Sequence, residues 1–315
     1  MVRLSSRTRS WAASLALALC ALAQSFTAAA APDHTDFLDA TESLRTKDHP
    51  QFVQRLSQLH GGANDLSAAE RLHLRYLDAW ETMFEGGYEE SEVELREIIK
   101  EAADPILESK ASALLLGNLA FNRRYEEAFT LANRLASTLP TVKDSLARSM
   151  LLTNLSQLMN FAGQTDLAIK YADMAESTIP LGEGICQAAW LKAAALYGGK
   201  RLASSSPELK KAVDACAAAR DKVYANSALL LTGSVLLDEK QPLKVMALLD
   251  RIGPSIRINR YFPNQELEHL QWAEAYWQLG RDDEAKAAAL AVVAMNSKDA
   301  ISDWLREAYD VLYRV

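Results

Sequence analysis

The stretch LLTNLSQLMNFAGQTDLAIKYADMAESTIP, residues 151–180, decides the fold. Leu152, Leu155, Ser156 and Met159 fall on one face of a helix with 3.6 residues per turn. Ala162-Gly163-Gln164 breaks that helix. Ala168 and Ala175 then lie two turns apart on a second helix, and Pro180 ends the unit. Small residues at Ser156 and Ala168 let two antiparallel helices approach closely. A hairpin this short cannot bury its apolar face alone, so it has to stack on similar units.

Working outward, the same layout returns on both sides. One unit runs from Ser67 to about Ala103, with Ser67 as helix cap, Leu72, Tyr76, Ala79, Trp80 and Met83 at helical spacing, and a turn at Gly86-Gly87-Tyr88. The next, Pro105 to Pro140, carries Leu116, Gly117 and Ala120, turns at Asn122 to Tyr125 and continues with Ala128, Leu131 and Leu135. Beyond the central unit, Trp190, Ala193, Ala194 and Tyr197 open a fourth, with a long turn from Gly198 to Ser206. A fifth has Leu229, Gly233 and Leu236, then Val245, Leu249 and Ile252, closed by Gly253-Pro254. A link from Ser255 to Asn264 leads to a sixth with Trp272, Ala273 and Tyr276, then Gly280, Ala285, Ala289 and Val292. This is the tetratricopeptide spacing. It predicts an all-α, right-handed solenoid of tetratricopeptide-like helix hairpins spanning 65–297. A helical lead-in occupies 33–64. Residues 298–315 read as the first helix of an incomplete further repeat, and its run from Ile301 to Val315 looks apolar most of the way round.

The first thirty residues read as a cleaved export signal. Arg3, Arg7 and Arg9 precede a short apolar run from Trp11 to Ala23, and an Ala run ahead of Pro32 supplies the cleavage site near Ala30. The apolar run is too short to span a bilayer. Cys20 does not read as a lipid attachment site, because Leu19 before it is too large. The expected location is the periplasm. The whole chain carries 34 basic and 41 acidic residues, a formal charge of −7, and loss of three Arg with the leader makes it more acidic. That argues against nucleic acid and anionic lipid as partners.

No phosphate-binding loop, dinucleotide fingerprint, nucleophile elbow or zinc-protease motif occurs. Glu266-Leu267-Glu268-His269 offers one Glu-x-x-His, whereas a di-iron bundle needs two with partner carboxylates. No catalytic residue, cofactor or metal site is therefore expected, and the chain reads as a binding protein rather than an enzyme. Leader cleavage leaves Cys186 and Cys216. They sit at the same end of the fourth hairpin, so they form either a disulfide or two buried thiols. The inner face of units two and three would present Asn118, Asn122, Asn154, Gln157 and Asn160. Amides both donate and accept, which suits a peptide backbone in a groove, and equally suits a solvated surface.

The stretches LHLRYLDAWETMFEGGYEE, RRYEEAFTLANRL, SPELKKAVDAC and AYWQLGRDDEAKAAALAVVAM, with the central unit, resemble the exported repeat region of membrane-bound GGDEF-type diguanylate cyclases of gamma-proteobacteria. The resemblance runs from about Asp36 to the end. It implies a periplasmic sensory array that precedes a transmembrane helix and a cytoplasmic cyclase domain. This chain has no G-G-[DE]-E-F motif and no transmembrane segment after the repeats, so no catalytic residue carries over. The resemblance thus implies an interaction or sensory module without its output domain, joined to the inner membrane only through a part not present here. The alternative is a stand-alone periplasmic scaffold or assembly protein that binds a partner chain.

Overall fold

The computed structural model describes residues 34–179, 183–296 and 303–315. The leader at 1–30, its cleavage region, Cys20, Pro180 and Ile301 lie outside them. Among the described residues the chain forms α-helices and no strand. Helices α1 (Thr35–Glu42) and α2 (His49–Gly61) make the lead-in. Six hairpins follow: α3 (Ala68–Phe84) with α4 (Tyr88–Glu101), α5 (Pro105–Phe121) with α6 (Tyr125–Thr138), and α7 (Ser145–Phe161) with α8 (Thr165–Thr178). Then come α9 (Glu183–Gly198) with α10 (Pro207–Ala219), α11 (Lys222–Asp238) with α12 (Pro242–Asn259), and α13 (Phe262–Gln278) with α14 (Asp282–Met295). Helix α15 (Asp303–Arg314) packs on the last hairpin. The architecture is an all-α solenoid.

Local chemistry explains where each helix starts and stops. Ser67 and Glu70 form a reciprocal capping box at α3. Asp104, Asp144 and Asp221 cap α5, α7 and α11 through their side chains. All six hairpin turns end their first helix in one way. The second residue past the helix has positive φ: Gly86, Arg123, Gly163, Lys200, Lys240 and Gly280. The N–H of the following residue then bonds back five positions, as from Gln164 to the Met159 carbonyl (2.8 Å) and from Gln241 to Leu236 (2.9 Å). These bonds satisfy helix-end carbonyls that would otherwise have no partner.

Within a hairpin, small residues set the close crossing. Ser156 Oγ donates to the Ala168 carbonyl at 2.8 Å, and Ser91 Oγ donates to Ala79 at the same distance. Between units, glycine makes room for a neighbour's amide: Asn154 lies where a Cβ on Gly117 would go, and Gln271 where one on Gly233 would go. Packing is therefore tight on both sides of the inner helices. Helix α5 is buried almost all round from Lys110 to Ala120.

Two sequence expectations fail. Gly253-Pro254 does not close the fifth unit: α12 runs through it to Asn259, with Pro254 inside the helix. Interior Pro costs about 3 kcal/mol. Burial of Ile252, Ile256 and Asn259 against the rest of the fold offsets that cost, so the link shrinks to Arg260 and Tyr261. Helix α15 is also amphipathic rather than apolar all round. Ala308 and Val311 are fully buried against α13 and α14, while Arg306, Glu307 and Asp310 face outward.

The array curls until its lead-in and first unit meet the fifth and sixth. The Thr46 carbonyl accepts from Val223 N–H at 3.1 Å, and Thr46 Oγ1 donates to Asp221 Oδ2 at 2.7 Å. Lys222 pairs with Asp48 and Arg260 with Glu85. The Phe84 and Tyr261 rings lie 4.8 Å apart. The Phe262 ring seats on Gly86, where a Cβ would come within 2.9 Å of it.

Candidate functional site

The amides expected along the inner groove are mostly spent inside the fold. Asn118 is fully buried, and its Nδ2 donates to the Tyr88 carbonyl at 2.9 Å. Asn122 donates to Asn118 Oδ1, and Asn154 to the Met150 carbonyl. Gln157 is buried, and Asn160 sits against Gly198. The physical reason is the close stacking of α5, α7 and α9. Positions that face a groove in an open array face a neighbouring helix here.

Cys186 and Cys216 are joined in a disulfide with their Cα atoms 4.4 Å apart, which ties the base of the α9–α10 hairpin. Both are fully buried.

The open concavity lies elsewhere. A cleft of about 1090 Å³ runs between α1 and the N-terminal ends of α3, α5 and α7. Its floor is an ion cluster. Glu42 Oε2 accepts from His73 Nε2 and from Lys110 Nζ, each at 2.9 Å, and Glu42 Oε1 faces Arg45 at 3.2 Å. Arg45 in turn donates to the Tyr76 hydroxyl at 2.9 Å. Burial would raise the Glu42 carboxyl. Arg45, the His73 hydrogen bond and Lys110 together outweigh burial and hold it well below the usual carboxylate range. The cluster thus binds the lead-in to units one and two, with two permanent cations, Arg45 and Lys110, on one buried carboxylate.

Above the floor the cleft is apolar and acidic. Ile106 and Leu146 stand 41% and 38% exposed at matching positions of α5 and α7, two residues after the capping Asp104 and Asp144. Asp39 lies at the rim. Asp39, Glu42 and His73 also present ligand atoms within 4.8 Å of one another. A metal there would have to displace Lys110 and Arg45 from Glu42, so the donor set fits the observed ion pairs better than a cation site. The Glu-x-x-His at 266–269 is differently engaged: Asn296 Nδ2 donates to Glu266 at 2.6 Å, and Arg257 lies 3.7 Å from Glu268.

Sequence reasoning missed this cleft. The signal it had was the repeated Asp-x-apolar at Asp104-Pro105-Ile106 and Asp144-Ser145-Leu146. Exposure of Ile106 and Leu146, however, depends on where α1 lies.

No family model matches the sequence, and no curated protein matches it. The fold is similar to that of a Rap protein solved in complex with competence and sporulation factor. The TM-score is 0.57 at 12% identity, over 88% of this chain and 78% of that one. The likeness identifies a tetratricopeptide-like helical-repeat fold.

Proposed function

We propose that this chain is a tetratricopeptide-like interaction module that binds a protein or peptide partner through the α1/α3/α5/α7 cleft. The cleft carries this reading. It exposes Ile106 and Leu146 on inner helices that are otherwise packed away. Large apolar side chains grouped in a concavity mark binding surfaces. The titratable groups of its floor, Glu42, His73, Lys110 and Arg45, are engaged with one another, which suits adhesion rather than proton transfer.

The finer reading is a periplasmic sensory module, exported on the signal at 1–30. Its support is the basic and apolar patterning of that segment, the resemblance of the repeats to cyclase input regions, and the Cys186–Cys216 bond, since disulfides persist in oxidising compartments. A stand-alone scaffold would use the same cleft.

A photo-crosslinking residue at position 146 in cells, compared with one at Leu243, which is 69% exposed on the outer helix α12, tests the module reading. A discrete crosslinked partner at 146 and none at 243 is expected. Equal or absent crosslinking at both would refute it. N-terminal sequencing of the periplasmic form should begin near Ala30.

A further inference from the structure

Building on the interaction-module reading, we propose that the cleft takes an extended peptide segment whose apolar side chains lie next to Lys or Arg. The chemistry follows from which charges are already used. Arg45, Lys110 and His73 are engaged by Glu42, and Arg75 by Glu94 and Glu101. Arg71 donates to the Leu66 carbonyl. The carboxylates are less committed. Asp104 and Asp144 each use one oxygen as a helix cap, on Ile106 N–H (2.9 Å) and Ala147 N–H (2.8 Å). Their second oxygens, and the whole Asp39 carboxylate, have no partner among the described residues. Around the cleft six carboxylates (Asp39, Glu42, Glu70, Glu101, Asp104 and Asp144) outnumber four permanent cations (Arg45, Arg71, Arg75 and Lys110), so its balance is negative, and Ile106, Leu146 and Leu72 share the lining.

The arrangement is a ladder. Units two and three each offer one carboxylate and one apolar residue at the mouth of the inner helix, Asp104 with Ile106 and Asp144 with Leu146, and the lead-in adds Asp39. Packed helices lie roughly 8–10 Å apart. An extended chain covers that in about three residues, so one rung meets one cationic and one apolar side chain. A rigid divalent ion fits less well, because its ligands would include Glu42, which Lys110 and Arg45 already neutralise.

The test uses the purified, oxidised protein and three labelled peptides of equal length, repeating Leu-Ser-Lys (Leu/Lys), Leu-Ser-Ser (Leu/Ser) and Leu-Ser-Glu (Leu/Glu), so that residues one and three of each repeat share a face, with binding read by fluorescence anisotropy. The Leu/Lys peptide should bind about tenfold tighter than Leu/Glu, since three exposed charge pairs add modestly. High salt should shrink the difference. Asp39→Asn, Asp104→Asn and Asp144→Asn remove charge, and Asn still caps a helix. Together they should bring Leu/Lys to the level of Leu/Ser in a protein of unchanged helicity. Ile106→Ser with Leu146→Ser should weaken all three peptides. Leu/Glu binding as tightly as Leu/Lys would overturn the inference while leaving the module reading intact, and so would no binding by any peptide while the crosslink at 146 persists. Loss of both peptide binding and the crosslink would sink both. Saturable Zn²⁺ binding that blocks Leu/Lys and disappears in His73→Gln would make the cluster a metal site and overturn the proposal.

Discussion

At the scale of single residues, the least legible feature is the one with the most charge. Glu42 meets His73 and Lys110, 31 and 68 residues along the chain. No local pattern announces such a meeting, because only the stacking of α1 on α3 and α5 creates it. His49, His60 and His73 share no sequence motif for the same reason. In the fold, His49 pairs with Glu81, His60 with Asp78 and His73 with Glu42, all between the lead-in and α3 or within reach of it. Removing one member of a buried ion cluster leaves charges without a partner. Glu42→Gln should therefore cost about 3–5 kcal/mol in urea unfolding at neutral pH. The pH dependence has a definite sign. The Glu42 carboxyl is depressed in the folded protein, so its contribution is fully present above its unfolded value near ~4.3. That contribution is lost as pH falls through the lower folded value. The stability gap between wild type and Glu42→Gln should narrow in acid, and a gap that widens there would contradict the assignment.

At the scale of helices and turns, the sequence is far more readable. Hairpin positions follow from periodicity and small residues, because each unit's contacts are mostly with itself and its neighbours. What stays hidden is which side of an inner helix is covered. Asn118 has the composition of a groove residue, but its environment is decided by Tyr88 and the next unit. Pro254 looked like a terminator because local propensity opposes a helix there, and tertiary burial of Ile256 reverses the outcome. The turns give a direct test. Lys240 is exposed and holds φ +58°, a region costing a side-chain-bearing residue roughly 1–2 kcal/mol. Gly163 and Gly280 occupy the equivalent place without that cost. Allowing for the extra freedom of glycine in the unfolded chain, Lys240→Gly should stabilise by roughly 0.5–1 kcal/mol. A lower melting temperature would show that the side chain does more than occupy the turn. The disulfide acts at the same scale. It closes a separation of 30 residues across α9 and α10. Reduction should lower stability by about 3–4 kcal/mol through the entropy returned to the unfolded chain, and it should raise hydrogen exchange first in those two helices.

At the scale of the whole molecule, the closure of the lead-in and first unit on the fifth and sixth sets this protein apart from an open array. A linear solenoid has only nearest-neighbour coupling, so its ends can unfold separately. Here Thr46 and Asp48 of the lead-in and Phe84, Glu85 and Gly86 of the first hairpin meet Asp221, Lys222, Arg260, Tyr261 and Phe262. One apolar cluster accordingly runs from Leu38 to Val223 and takes in Tyr261. This seam also fixes α1, the wall of the cleft, through the turn at 43–47 that contains Thr46. Combining Thr46→Val with Tyr261→Ala removes a hydrogen bond to a buried carboxylate and a ring contact, while the turns and hairpin crossings stay as they are. Hydrogen bonds to charged groups contribute about 1.5–3 kcal/mol, so the loss should be measurable. The stronger expectation concerns cooperativity. Wild type should unfold in one urea transition, with Trp80 reporting on the N-terminal units and Trp272 and Trp277 on the C-terminal ones. In the double variant the two signals should separate, and the cleft should become more accessible to hydrogen exchange along α1. If both tryptophan signals still coincide in the variant, with the expected overall destabilisation, then coupling runs through the stacked hairpins alone and the seam is only a passive contact.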